Sequence, residues 1–135
     1  MATHEPNPSE LELLKALWRD GRLSARELHD RVGAGQGWSA STTRTVLRRL
    51  VEKGLAARSD YHGLAVYEAS AAKVDLISKL VRSFARRVLD ADPRALPAST
   101  FAGSALLDEA EREELERLLQ AADDESESKN GETKS

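Results

Sequence analysis

Ser41, Arg44, Thr45 and Arg48 recur at i, i+3, i+4 and i+7 of one stretch, with Arg49 on its flank. That spacing lines one face of a helix over two turns. An arginine fork matches the N7 and O6 acceptors of guanine, a hydroxyl reaches a phosphate or a base edge, and a threonine methyl touches a thymine methyl. Ser39 and Thr42 open the same stretch, where a phosphate meets the unsatisfied N–H groups of a helix start. Lys53 and Arg58 follow at its far end and just beyond, placed for further phosphates. His62 is a candidate for a phosphate or minor-groove contact, against the simpler reading of a turn residue. Solvated helix faces usually interleave carboxylates for i,i+4 pairing, and here Glu52 arrives only at the end.

Other chemistries find no support. The absence of cysteine excludes disulfides, thiolate metal sites and cysteine nucleophiles. His4, His29 and His62 are scattered, with no carboxylates at ligand spacing, so neither a metal nor a cofactor is expected. Glycines 33, 35 and 37 are followed by no Lys-Ser/Thr pair and preceded by no strand, which argues against a phosphate-cradling nucleotide loop. The acidic run 109–116 reads as a solvated helix face, and the serines mostly occupy caps. No enzyme is expected. Trp18 and Trp38 read as packing residues.

Charge is unevenly placed. Residues 22–62 carry eight basic and four acidic side chains, whereas 108–135 carry four basic and eleven acidic ones. A basic front half meets a polyanion on one face while the acidic end repels it. The 135 residues are 40% hydrophobic and only 4% aromatic, so leucine, valine and alanine must build the core, which suits helices. No apolar run reaches the roughly 20 residues of a membrane span, and the first twenty residues lack a secretory pattern. A cytoplasmic protein is expected.

The elements that must position the reading face follow from caps and periodicity. Ser9 and Glu12 form a capping box before a first helix of about 10–19, and Ser24 and Glu27 form another before a short second helix closed by Gly33. Arg22 and Leu23 make a short extended piece. Ser39 caps a third helix of about 40–53 with an inward stripe of Thr43, Val46, Leu47, Leu50 and Val51, ended by Gly54. Leu55–Ser59 and Leu64–Ala69 read as two short strands around a turn holding Tyr61, His62 and Gly63. Ser70 caps a long helix of about 71–90, where Val74, Ile77, Val81, Phe84 and Val88 form a two-heptad seam. Pro93 and Pro97 allow at most a short helix before Asp108 caps the last one, striped by Leu115, Leu118 and Leu119.

The expected fold is mainly α with a small β-hairpin: a winged helix-turn-helix over 8–70, a helical dimerisation region over 71–122, and a disordered acidic tail over 123–135. The dimerisation candidates are Val74, Ile77, Val81, Phe84, Val88, Leu115, Leu118 and Leu119, which are too apolar to face water and call for burial either within the chain or between two copies. A two-fold dimer would set two recognition helices about 34 Å apart, the spacing of successive major grooves.

From Trp38 to Gly54 the sequence resembles the penicillinase repressor family, the BlaI, MecI and CopY regulators. Ser39, Thr42, Thr45, Arg49, Leu50, Lys53 and Gly54 match the string across that family's recognition helix, and Arg44 matches an arginine typical of its antibiotic-resistance members. Ser9 to Trp18 is similar to its opening helix and Leu107 to Leu115 to its C-terminal motif, so the resemblance spans about residues 8–120. It implies a homodimeric repressor on a palindromic double-stranded operator, released when a membrane sensor with a cytosolic metalloprotease domain triggers cleavage. Beta-lactam or cell-wall stress is the implied signal. Phe101 aligns with the phenylalanine of the family's Asn-Phe scissile bond, but Thr100 stands where asparagine is expected. Ser41 departs from the lysine frequent in resistance-type members, so the operator does not carry over. The copper-responsive mode needs a cysteine cluster that this chain lacks. The rival readings are a small-molecule-released winged-helix regulator and a winged-helix protein-interaction module.

Overall fold

The computed structural model describes residues 5–134, with side chains through Ala121. It divides into two compact units that meet in sequence between Ala72 and Lys73.

The first unit contains α1 (Pro8–Asp20), β1 (Leu23–Ser24), α2 (Ala25–Leu28) continuing as a π-helical turn (His29–Gly33), α3 (Ala40–Glu52), β2 (Ala56–Tyr61) and β3 (Leu64–Ala69). The cap of α1 differs from the expected Ser9–Glu12 box. Asn7 accepts from the Glu10 N–H at 2.8 Å, and its own N–H donates to Glu10 Oε1 at 2.9 Å. Both pairs have the same spacing, and Pro8 decides between them: lacking an N–H and fixed in φ, it suits the first helical position. The Ser24–Glu27 box forms as read, at 3.1 and 2.8 Å. Leu13, Leu14 and Leu17 of α1 are buried with Leu28, with Val46, Leu47 and Leu50 of α3, and with Leu55 and Val66. The core is aliphatic, as the scarcity of aromatics requires.

The sheet order is β1-β3-β2, antiparallel throughout, with Leu23 opposite Tyr67 and Tyr61 opposite Leu64. His62 and Gly63 form the two-residue turn with φ of 52° and 81°, the left-handed pair that matches the twist of a hairpin. Three helices and this hairpin make a winged helix-turn-helix, in agreement with the sequence reading.

In the second unit α4 (Lys73–Arg87) starts two residues later than expected and without Ser70 as its cap. The Ser70 N–H donates to the Leu55 carbonyl at 2.9 Å, and the Ala71 carbonyl accepts the Trp18 indole N–H at 3.0 Å. Those backbone groups belong to the first unit. The helix stops at Arg87, where Asp90 turns left-handed at φ 51° and the Ala91 N–H closes onto the Ala85 carbonyl at 2.8 Å. Val88 therefore lies past its end. Two 3-10 turns (Pro93–Ala95 and Ala98–Phe101) lead to α5 (Glu109–Lys134). Asp108 and Glu111 cap α5 reciprocally at 2.8 and 3.0 Å. The expected disordered tail, 123–135, falls on residues whose side chains lie outside the described set.

Val74, Leu107, Leu115 and Leu119 form the core of this unit, with Ile77, Val81, Phe101 and Leu118 packed around them. Lys73 Nζ holds Glu111 Oε1 at 3.1 Å and joins α4 to α5. The expected dimerisation residues divide into two groups by burial. Val74, Leu115 and Leu119 are buried in their own protomer because α5 folds back onto the N-terminal half of α4. Phe84 and Val88 remain 52% and 59% exposed, beside Leu89 at 50%. Among the described residues no helix is long and apolar enough to cross a membrane.

Candidate nucleic-acid interface

The outward face of α3 is set by what its inward face buries. Thr43, Val46, Leu47 and Leu50 turn into the core, so Ser41, Arg44, Arg48 and Arg49 are exposed and Thr45 is half-buried. Ser39 Oγ accepts the Thr42 N–H at 3.1 Å and donates to the Thr42 hydroxyl at 3.0 Å, joining the two expected phosphate ligands at the helix start.

The crossing of the two motif helices is held by polar groups. His29 Nδ1 lies 2.7 Å from Thr43 Oγ1, whose hydroxyl also reaches the Ser39 carbonyl at 3.4 Å. Gly33 passes beside this pair. A Cβ there would overlap the Thr43 hydroxyl and lie 2.6 Å from His29 Nδ1. Glycine is thus required for close approach, which the sequence reading had taken only as a helix stop. His29 takes part in packing the motif.

The cations differ in what holds them. Arg48 Nε lies 3.8 Å from Glu52 with both side chains about two-thirds exposed, a pair that contributes little and yields readily to a phosphate. Arg58, on β2, is similarly loose, 4.0 Å from Asp60. Lys53 is another matter. Its Nζ lies 2.6 Å from Oε1 of Glu10, which is completely buried, and donates to the Glu5 carbonyl at 3.2 Å. The lysine expected to contact phosphate instead ties the end of α3 to the start of α1. Glu10 Oε2 has no hydrogen-bond partner among the described residues.

At the wing tip His62 packs edge-on to Tyr61, ring centroids 4.3 Å apart, and the Arg22 guanidinium lies 5.4 Å over the Tyr61 ring. The sequence places Arg22 in a short extended piece and counts its charge, and nothing in local spacing pairs it with a residue on another element. At the far end of α1, Asp20 joins Arg19 and Arg31, each at 3.0 Å. The Arg19 hydrogen bond, with that of Arg31, holds its carboxyl below the usual range.

Thr100 and Phe101, expected at the cleavage site, lie in the second 3-10 turn. Thr100 is exposed, and the Phe101 side chain packs on the core of the second unit.

The sequence profile described as penicillinase repressor matches residues 7–121. Methicillin resistance regulatory protein MecI of Mammaliicoccus sciuri is 26% identical over 117 residues, spanning 87% of this chain and 94% of that protein. MecI of Staphylococcus aureus strain N315 gives the same identity and coverage. An uncharacterized 16.5 kDa protein from the ptsI 3′ region of Latilactobacillus sakei is 36% identical over 52 residues, 38% of this chain and 36% of that one.

Proposed function

The chain belongs to the penicillinase repressor family and is a DNA-binding transcriptional repressor, and we propose that it acts as a homodimer on a palindromic operator in the control of beta-lactam resistance. The observation that carries this reading is the row of Ser41, Arg44, Thr45 and Arg48 standing outward from a helix whose opposite face is buried. Arg44 reads a guanine edge through its fork, Thr45 and Ser41 meet base edges, and Ser39, Thr42 and Arg49 hold phosphates. Arg58 and His62 of the wing reach the flanking backbone. Lys53 acts through the fold, given its bond to Glu10.

Phe84, Val88 and Leu89 supply the surface for the second copy, with Ile77, Val81 and Leu118 at its margin. An exposed apolar group of this size at the end of an amphipathic helix favours association over solvation. Two linked half-site contacts then act as one through effective concentration.

Release occurs by cleavage in the segment between α4 and α5, with Thr100–Phe101 as the bond in register and a membrane sensor metalloprotease pathway as its source. Phe101 must leave its packing before an extended protease cleft accepts it. That requirement favours a second reading, release by a small molecule in the cleft of about 660 Å³ lined by Pro93, Leu96, Phe101, Glu113, Arg117 and Gln120.

The test is a footprint on the DNA upstream of the protein's own gene, competed with random duplex, beside sedimentation of the free protein. A two-fold protected site bound by dimers supports the proposal. Equal binding to random duplex, or single subunits at every concentration, overturns it. Exclusive capture of an acidic protein partner makes the fold an interaction module. Mass mapping of the chain after beta-lactam exposure separates cleavage from ligand release.

A further inference from the structure

α2 and α3 enclose a cleft of about 310 Å³ lined by Ala25, Arg26, His29, Asp30, Ala40 and Arg44. Arg26 and Arg44 stand on opposite walls, one on each helix. Neither guanidinium has a partner among the described residues. Their neighbours in the first unit are mostly engaged: Lys15 with Glu12, Arg19 and Arg31 with Asp20, Arg22 over Tyr61, and Lys53 with Glu10.

The floor of this cleft is fixed. His29 is pinned through Nδ1 to the Thr43 hydroxyl, and Gly33 lets the two helices close to that distance. Ala25 and Ala40 add only small side chains to the lining. With two guanidinium groups against the single Asp30 carboxylate, the lining is net positive. A tetrahedral oxyanion with several acceptor oxygens matches the forked N–H donors of Arg26, while Arg44 adds positive charge to the lining and keeps its fork for the base edge.

We infer that this cleft seats one backbone phosphate of the bound duplex, with Arg26 as its anchor. The inference rests on the DNA-binding reading, because Arg44 belongs both to the cleft and to the reading face of α3. A phosphate gripped here lies on the strand bordering the groove that α3 enters. Its grip sets how deeply α3 sits and where Arg44 meets a base edge. Arg26 is thus a positioning contact that carries no sequence information itself, whereas Arg44 discriminates.

The full-length protein tests this by operator and random-duplex binding across a salt series, for wild type, Arg26→Ala, Arg26→Lys and Asp30→Asn. The Arg26 side chain makes no intramolecular bond, so Arg26→Ala leaves the melting temperature unchanged. Its affinity falls about tenfold on both duplexes, and the slope of log K against log salt flattens by about 0.9 per subunit, about 1.8 for the dimer. Arg26→Lys keeps the slope, and Asp30→Asn binds both duplexes more tightly. Operator binding by Arg26→Ala with wild-type affinity and slope overturns the inference while leaving the DNA-binding reading intact. So does a loss confined to the operator. Inorganic phosphate displaces operator from the wild type beyond chloride of equal ionic strength, and Arg26→Ala loses that difference; a difference equal in the two proteins overturns the inference. Failure of the wild type to bind any duplex overturns both.

Discussion

The two units solve different problems with different contacts. In the first, polar bonds with defined geometry fix helices against one another, Glu10 with Lys53 and His29 with Thr43, and others cap the helices themselves, Asn7 with Glu10 and Ser39 with Thr42. In the second, an apolar cluster with the single Lys73–Glu111 ion pair beside it holds α4 to α5 and leaves Phe84, Val88 and Leu89 outside. Hydrogen bonds are directional and hold a reading face at a set angle. Apolar burial is non-directional, and it tolerates exchange of one apolar partner for another. Directional contacts are concentrated in the unit that carries the reading face, and exposed apolar area in the unit that, on the proposed reading, meets a second copy of the chain.

The largest expected effect tests the directional half. Lys53→Met leaves the buried Glu10 carboxylate without its cation and should cost about 3 kcal/mol of stability in a denaturant titration. If Lys53 works through the fold, variant that remains folded shows an unchanged salt slope of DNA binding. A slope lower by about one phosphate contact would return Lys53 to the DNA surface.

The next prediction tests the apolar half. Phe84→Asp should weaken self-association by about 2 kcal/mol, as truncating an aromatic anchor does, with unchanged melting of the first unit. Sedimentation measures it, and an unaltered dimer would move the interface elsewhere. Arg44→Ala should cost about 1–3 kcal/mol on the operator and relax preference at one base pair, read by binding to a panel of single-base variants. Equal losses on operator and random duplex would make Arg44 a phosphate contact.

The smallest effect concerns Asp20, on the surface between Arg19 and Arg31. Its carboxyl lies below the usual range, through the Arg19 hydrogen bond first. A lowered folded-state value contributes stability above the unfolded carboxylate range, and that contribution disappears as pH falls through the folded value. The stability gap between wild type and Asp20→Asn should therefore be present at neutral pH and close in acid, as followed by thermal melting.

Much of this was legible beforehand where the signal is local. The buried stripe of α3, its Ser39 cap, the Ser24–Glu27 box, the Asp108 cap of α5 and a hairpin turn around His62 and Gly63 all follow from local spacings, though β2 runs on to Tyr61 and shortens that turn to two residues. The reading face came with the stripe, since burying Thr43, Val46, Leu47 and Leu50 leaves Arg44 and Arg48 outside. Even locally the pattern was degenerate at α1, where two capping boxes overlapped and Pro8 selected the earlier. The role of Lys53 was not legible, because Glu10 lies 43 positions away. Nor was the division of the α4 seam. Periodicity gives one continuous stripe and does not say that α5 covers its first half.

The amino-acid sequence by itself determined the helices, the hairpin and which face of α3 looks outward, because backbone capping and apolar periodicity act over a single turn or strand pair. Tertiary structure alone decided which charges are free and which apolar groups remain uncovered. Lys53 is engaged and Arg26 is not; Val74 is covered and Phe84 is not. Those outcomes depend on distances between side chains far apart in the chain, and such distances exist only once the core has set the helices against each other.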